Sequence, residues 1–556
     1  AVPALLVQAL GLERGSGATG DIAWAARRFL EAQARDSPLV IVIDDLHWAE
    51  QALLDLVRPL PGLAHAPLLV ICLARPEALE TLSDWPGLIL RLEPLPDGAA
   101  RRLIGELIGG AGLQEDVRER VLESAAGVPL FVEELLAFLV EDGLVHQAPD
   151  GRWVGRGSLA DFTIPPTIDA LLAGRLDRLE VRQRTLLEDG AVEGQLFHLG
   201  AVVTLAAETA DQATSLLDDL TRRELVQSAA PSFFDETAYS FRHILIRDAA
   251  YRSLPKRTRG ELHETYAHWL EEKVGGREIG YEEVLGYHFE QAYRYRDELG
   301  LADDALGMRA GRLLASGGRR ALARSDIAAA EGLLSRAAAL LPEDDGERVE
   351  CLLGLAVALR ERGEFERAAK VNDEAIERAV ATGLEGTCAR GRLNAALLRL
   401  YTDPAGTDEL VIAAEEALPL FERLEDDAGL AQALWFIALS HWNRCFVGRA
   451  EKLLERALVH AERADDRHWR DNILAMRGLS NVSGPTPAEE GLRHCADLLA
   501  RTREARSTVA LLTSYSAVLE ALCHRFEAAR AKAARGTALP DDLDRPVTAA
   551  GSGYFA

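Results

Sequence analysis

The sequence predicts a multidomain α/β + α protein: a short parallel sheet with helices first, then an all-α superhelix of repeated helix pairs. Three observations lead there. Residues 38–43 (PLVIVI) and 67–74 (PLLVICLA) are continuous apolar runs with helical text around them, the pattern of parallel strands covered on both faces. From about 303 to 540 the chain is amphipathic helix with an internal repeat. Finally, 556 residues exceed what one hydrophobic core organises, so several domains follow.

The composition narrows the function. Lys and Arg total 62 against 88 Asp and Glu, a net charge of −26. General nucleic-acid binding needs a concentrated positive surface and is disfavoured. With 48% apolar and 27% charged residues the chain is an ordinary folded protein, not a disordered one. The six cysteines form no CxxC pair, which excludes a zinc ribbon and makes a disulfide scaffold a poor fit; a reducing cytoplasm suits them. No apolar run approaches the ~20 residues that span a bilayer, and no basic-then-apolar leader opens the chain.

In order, a helix is expected at 23–34, strands at 38–43 and 67–74, and a weaker strand at 88–92 (LILRL). Pro94-Leu95-Pro96-Asp97 reads as a turn and N-cap before a helix at 98–109, with further helices at 115–126 and 130–142. Helices follow at 167–179, 181–192, 199–208 and 211–222. Two short strands are expected at 224–229 and 237–243. Three helices and a two-strand ribbon are the winged-helix order. A helical stretch runs on to about 300.

The repeat shows in LARSDIAAAEGLLSRAAAL (322–340), LRERGEFERAAKVNDEAIERA (359–379), SHWNRCFVGRAEKLLERAL (440–458) and LCHRFEAARAKAARG (522–536). Their spacing fits units of 35–40 residues, some worn, the period of tetratricopeptide-like stacks. Ala329, Ala330, Ala368, Ala369, Ala528 and Ala529 fall where paired helices would approach closely. Trp435, Trp442 and Trp469 suit either the core or a peptide-binding face.

VIVIDDLHWAE (40–50) is the sharpest local feature. An apolar strand ending in two acids places both at the carboxyl edge of a parallel sheet, where ligands bind in open α/β folds. In phosphate-handling folds the first acid, Asp44, would hold Mg²⁺ through water, and the second, Asp45, could orient the attacking water. An Asp-rich turn after a strand is the plainer reading. His47 and Trp48 are expected to pack just beyond the strand.

DDLHWAE resembles the Walker B region of the signal-transduction ATPases with numerous domains, with Glu50 for the usual final Asp. LLVICLARPEAL (68–79) resembles the next core strand, ending in the sensor arginine, here Arg75. GVPLFVEELLAFLVEDG (127–143) is similar to the GNPLFVEEL segment of the helical lid, with Val128 for Asn and Pro129 at the position packing near adenine. IPPTIDALLAGRLDRL (164–179) and FRHILIRDAAYRSL (241–254) resemble the family's winged-helix opening and closing segments. The resemblance implies the C-terminal part of a P-loop NTPase core at 1–95, a lid at 96–160, a winged helix at 161–255, a helical linker at 256–302, repeats at 303–540 and a tail at 541–556.

It also implies ATP or ADP with Mg²⁺ as cofactors of the complete protein, and places His243 where a winged-helix histidine reaches the phosphates. A histidine bonded within its own strand is the competing reading. The phosphate-cradling GxxxxGK-Ser/Thr loop is absent from residues 1–37, which contain no lysine. Either the chain is a segment cut after that loop or the loop has been lost; Ala1, in place of Met, favours the segment, and ATP binding is then expected to be weak or absent. The implied function is an ATP-dependent regulatory switch, with a protein or small-molecule inducer on the repeats and an output domain outside the chain. That output is a class III nucleotide cyclase, which LGYHFEQAYRYRDELG (285–300) favours, or a LuxR-type DNA-binding domain. A nucleotide-independent tetratricopeptide scaffold is the competing class. Arg222, Arg223, Lys256, Arg257 and Arg259 raise the possibility of DNA contact, but acids lie close to them.

Overall fold

A computed structural model describes residues 37–44, 67–76 and 87–538, with breaks at 109–112, 142, 150–151, 156–166, 232–235, 276–279, 324–325, 403–406, 465 and 503–505, and scattered positions between 26 and 60. The described residues are mostly helical, with three small sheets. The chain divides into two compact units. One comprises Ala1–Gly87 with Met308–Ala556, the other Leu88–Gly307. The segments expected as lid, winged helix and linker thus share one unit.

In the first unit, β1 (Leu39–Ile43) and β2 (Leu68–Cys72) pair in parallel, with Ile43 opposite Cys72. Among the described residues only one face is packed. Ile43 and Cys72 pack against Leu46, whereas Val40, Val42 and Leu69 are more than half exposed. The expectation of a sheet covered on both faces is therefore corrected. Continuous apolar text reports that both faces can be buried, not that both are. The expected strand at 88–92 is also absent. That stretch is irregular, and Leu88, Leu90 and Leu92 are largely exposed; among the described residues no strand takes up its backbone groups. Most of the expected helix at 23–34 and the tail 541–556 lie outside the described residues.

The second unit begins with three helices, α1 (Asp97–Ile108), α2 (Glu115–Ala125) and α3 (Pro129–Glu141), and an antiparallel hairpin, β3 (Val145–Gln147) and β4 (Trp153–Gly155), absent from the sequence reading. Pro129 opens α3, where a missing N–H costs nothing. Val117, Val121, Phe131, Val132, Leu135 and Leu139 form the core here. Next come α4 (Ile168–Asp177), α5 (Val181–Glu193), β5 (Leu196–His198), α6 (Leu199–Leu205), α7 (Ala210–Arg222), β6 (Val226–Ala229) and β7 (Ala238–Phe241). The sheet order is β5-β7-β6, all antiparallel. The ribbon expected at 224–243 is thus joined by a third strand, too short at three residues to show a period.

α4 is apolar on more than one side. Leu171 belongs to the core of α1–α3, while Leu172 and Leu176 belong to the core formed with Leu186, Phe197, Leu217 and Phe241. Successive residues point to different sides of a helix, so α4 is shared by both cores while Asp169, Ala173 and Asp177 face solvent. α8 (Ile244–Ser253), α9 (Lys256–Val274) and α10 (Glu282–Glu298) complete this unit. The expected "linker" has its own buried side chains, including Tyr266, Trp269 and Phe289.

The array consists of α11 (Asp304–Ala323), α12 (Ile327–Leu340), α13 (Gly346–Glu361), α14 (Phe365–Thr382), α15 (Glu385–Thr402), α16 (Thr407–Leu424), α17 (Asp427–Asn443), α18 (Val447–Arg463), α19 (Arg467–Ser483), α20 (Ala488–Arg501), α21 (Arg506–Leu522) and α22 (Phe526–Ala538). From α12 on, consecutive helices pack on one another. First helices begin at Asp304, Gly346, Glu385, Asp427, Arg467 and Arg506, a period of about forty residues, so the stack is tetratricopeptide-like. The four repeated strings are the turns and second helices of four of the six pairs. Between pairs, Arg390 of α15 donates to Glu350 of α13 (2.5 Å) and to Asp426 (2.8 Å), which itself caps α17.

Of the expected small contact residues, Ala330 and Ala368 are fully buried, while Ala329, Ala369, Ala528 and Ala529 are only partly so. The tightest approaches are at glycines instead. A Cβ on Gly391 would sit 2.7 Å from Ile376, and one on Gly429 2.5 Å from the Phe421 ring. Trp435, Trp442 and Trp469 are partly buried against the core, and the Trp435 and Trp469 rings are 5.5 Å apart. In an open helix Gly→Ala stabilises by up to about 1 kcal/mol. At Gly429 the added methyl meets a buried ring, so Gly429→Ala should destabilise by about 1–3 kcal/mol in urea unfolding; a stabilised variant would show that Phe421 gives way.

Candidate functional site

Asp44 follows β1 and Arg75 lies three residues beyond β2. The strands are parallel, so both residues stand at the same carboxyl edge, and both are exposed. The edge is drawn together by the backbone: Leu73 N–H donates to Ile43 (2.8 Å) and Leu46 N–H to Leu73 (2.8 Å). Asp45, His47 and Trp48 lie outside the described residues.

Pro129 and His243 belong to the other unit. Pro129 is exposed at the start of α3. His243 caps α8: its Nδ1 accepts the N–H of Leu245 at 3.1 Å. An accepting Nδ1 carries no proton, so the neutral ring holds its proton on Nε2. His243 thus bonds to the helix that follows rather than within its strand, and its Nε2–H remains a donor.

The acids and bases near the expected winged helix are largely paired. Arg222 bonds Asp219, Lys256 bonds Glu298 (2.8 Å), Arg257 bonds Glu261 (3.0 Å), and Arg259 lies over the Tyr251 ring (4.8 Å).

Sequence reasoning missed the buried ionisable groups. Arg175 of α4 donates through Nε and Nη2 to both oxygens of Glu141 (3.2 and 2.7 Å), through Nη2 to the carbonyl of Arg223 (3.1 Å), and through Nη1 to Glu134. Arg175 and Glu134 are buried. Glu134 and Glu141 are seven apart on α3 and so share one helix face. Burial pushes the Glu134 carboxyl above its ordinary range, against the opposing pull of Arg175. The one sequence clue was that these residues fall inside the motif strings 127–143 and 164–179.

A second buried group links α8, α9 and α10. The Nδ1 atoms of His263 and His288 are 2.8 Å apart, and Tyr251 Oη is 2.8 Å from His263 Nε2 and 3.0 Å from Tyr295 Oη. Burial and the nearby Arg247 and Arg259 push His263 down to about 3, so it is neutral. Beside this group is a cleft of about 470 Å³ lined by Arg257, Tyr295, Arg296 and Leu301, among others. Among the described residues no cluster of His, Cys, Asp and Glu has metal-binding geometry, and no helix is long and apolar enough to cross a membrane.

Asp189 of α5 is 3% exposed, and its Oδ2 lacks a hydrogen-bond partner. Desolvation, with Glu188 adding repulsion, raises it to about 7.

A family model described as a domain of unknown function, DUF8739, matches residues 96–151, which hold α1–α3 and β3. The chain is 26% identical over 245 residues to the uncharacterized protein R02095 of Rhizobium meliloti (strain 1021); the match covers 43% of this chain and 23% of that protein's length. Among solved structures it is similar to a signal transduction ATPase with numerous domains carrying a tetratricopeptide repeat sensor, from Pyrococcus horikoshii (12% identity, TM-score 0.36, 98% of this chain and 88% of that one). It is similar to the apo form of RapI at 13% identity and TM-score 0.36, over 51% of this chain and 98% of that one. These scores are low, and the architecture rests on the chain's own elements.

Two outcomes are expected. His243→Ala should lose a cap worth about 1 kcal/mol in thermal unfolding, whereas His243→Asn, itself a capping residue, should retain it. For Asp189, a folded-state value raised above the unfolded one means stability is present in acid and lost as pH rises towards 7. Wild type should lose up to about 1.4 kcal/mol per pH unit across that window. Asp189→Asn should lack this loss in urea unfolding, and an unchanged profile would contradict it.

Proposed function

We propose that the chain is the regulatory part of a signal-transduction ATPase with numerous domains, in which nucleotide and an inducer bias a two-state element that controls an attached output domain. The observation that supports this most is the pairing of Asp44 and Arg75 at one carboxyl edge of a parallel strand pair, the edge where open α/β sheets hold ligands. In this reading Asp44 holds Mg²⁺ through water, with Asp45 as the water-orienting acid, and Arg75 senses the phosphate. The α4–α7 helices with the β5-β7-β6 sheet serve as a winged helix. Pro129 stands near the adenine, and the Nε2–H of His243 is the donor for phosphate. Within the first unit, the carboxylate of Asp44 and the guanidinium of Arg75 fit part of a nucleotide site. The backbone cradle for the phosphates has no counterpart in the text of residues 1–37.

The helix-pair array is the sensor. Each pair adds a stretch of continuous surface, suited to a peptide, a protein domain or a small inducer. The output domain is a nucleotide cyclase in the favoured form and a LuxR-type DNA-binding domain in the second. The competing reading is a scaffold, a nucleotide-independent array with a relic ATPase; an intact GxxxxGK-Ser/Thr loop upstream of this chain would count against it.

This chain should therefore bind a fluorescent ATP analogue weakly or not at all; Mg²⁺-dependent micromolar binding by it would overturn that expectation. A protein that extends it upstream through an intact GxxxxGK-Ser/Thr loop should bind the analogue with Mg²⁺, and Asp44→Asn and His243→Asn should each weaken binding. Equal binding by wild type and both variants, or none by any, would favour the scaffold.

A further inference from the structure

Four polar side chains from three helices form one hydrogen-bonded chain. Tyr295 of α10 lines the cleft described above. Its Oη is 3.0 Å from Oη of Tyr251 on α8, which is 2.8 Å from Nε2 of His263 on α9. His263 Nδ1 is in turn 2.8 Å from Nδ1 of His288, back on α10. The two imidazoles are 1% and 3% exposed, and among the described residues neither bonds a carboxylate. Burial and the nearby positive charge of Arg247 hold both rings neutral. Burial likewise keeps the Tyr251 phenol protonated.

Neutral rings leave two arrangements. Each ring carries one N–H and one bare nitrogen. The short contact between the Nδ1 atoms needs a proton on one side only, so the two rings are opposite tautomers. With its proton on Nδ1, His263 donates to His288 and its bare Nε2 accepts from Tyr251. With its proton on Nε2, every bond in the chain points the other way. The contact between Tyr251 and His263 decides between them. A neutral imidazole nitrogen is a much stronger base than a phenol oxygen, so Tyr251 donates and His263 accepts. Arg247 and Arg259 lie over the Tyr251 ring at 5.0 and 4.8 Å, and both cations draw charge from it and sharpen its hydroxyl as a donor. Having spent its proton on His263, Tyr251 can only accept from Tyr295.

We propose that Tyr295, Tyr251, His263 and His288 form a one-way, charge-neutral hydrogen-bond relay from the cleft wall to the buried contact between α9 and α10, through which a molecule in the cleft acts on that contact. Each donor is strengthened by the bond it accepts. Tyr295 gives its only proton inward, so to the cleft its oxygen offers an acceptor. The cleft wall also sets Glu261, Asp303 and Asp304 against Arg257 and Arg296, an excess of acid. Both features suit an organic ammonium, whose N–H donates to Tyr295 and strengthens every later bond of the relay. The relay needs no nucleotide and stands whether or not the ATPase reading does.

NMR of the histidine ring nitrogens in the whole chain tests this. The pair identifies itself, because two nitrogens sharing a proton couple across the hydrogen bond. His263 is expected in the Nδ1–H form and His288 in the Nε2–H form. Tyr251→Phe keeps the ring but removes the donor to His263, so both histidines should become tautomer mixtures. Tyr295→Phe, which removes the hydroxyl at the cleft end, should keep the tautomers, shift the shared proton and weaken the coupling. Titrated methylammonium should shift that proton in wild type and not in Tyr295→Phe. The wild-type spectrum decides the tautomers even if a variant fails to fold. Like tautomers, a doubly protonated ring or the reverse assignment would overturn the proposal. So would a wild-type pattern in either variant, or a shared proton that methylammonium leaves unmoved.

Discussion

Each helix pair of the array has an apolar face that it cannot cover by itself. That constraint organises residues 304–538, because stability comes only when the next pair supplies the missing cover. Leu334, Leu353 and Leu359 of successive helices lie in one cluster, and Leu393, Phe421 and Phe436 lie in the next. The close spacing this demands falls on glycines of the first helices, so the array trades helix propensity for proximity. Arg390 adds a polar tie between neighbouring pairs and at the same time orients the residue that caps the following helix.

The other compact unit meets the same need differently. It has two adjacent cores, and α4 lends side chains to both. Where apolar contact ends, a buried arginine with two carboxylates takes over. Buried His263 and Asp189 are further titratable groups within this unit, with opposite pH dependence.

Much of the architecture was legible because periodicity and punctuation are local. The helices at 97–108, 115–125 and 129–141, the parallel strands, and the forty-residue repeat all follow from apolar spacing, N-caps and turns. Short elements were not legible: β3, β4 and β5 have three residues each, less than two full periods of a strand. The strand expected at 88–92 failed for the converse reason, since among the described residues its apolar text has no pairing partner. Of the candidate site residues, Asp44, Arg75, Pro129 and His243 could be picked from strings alone. The capping role of His243 Nδ1, which fixes its proton on Nε2, needed the geometry.

By itself the sequence determined what any local stretch could become: helix or strand, the period of the array, the acids that end β1, and the overall negative charge. Only the tertiary structure decided which apolar faces are covered, as the exposed Val40 and Val42 show. It alone brought Glu134, Glu141, Arg175 and the Arg223 carbonyl together from positions up to 89 residues apart. The physical reason is that burial and desolvation depend on neighbours distant in the chain. A carboxylate's cost inside the protein is therefore set by its surroundings, not by its place in the text.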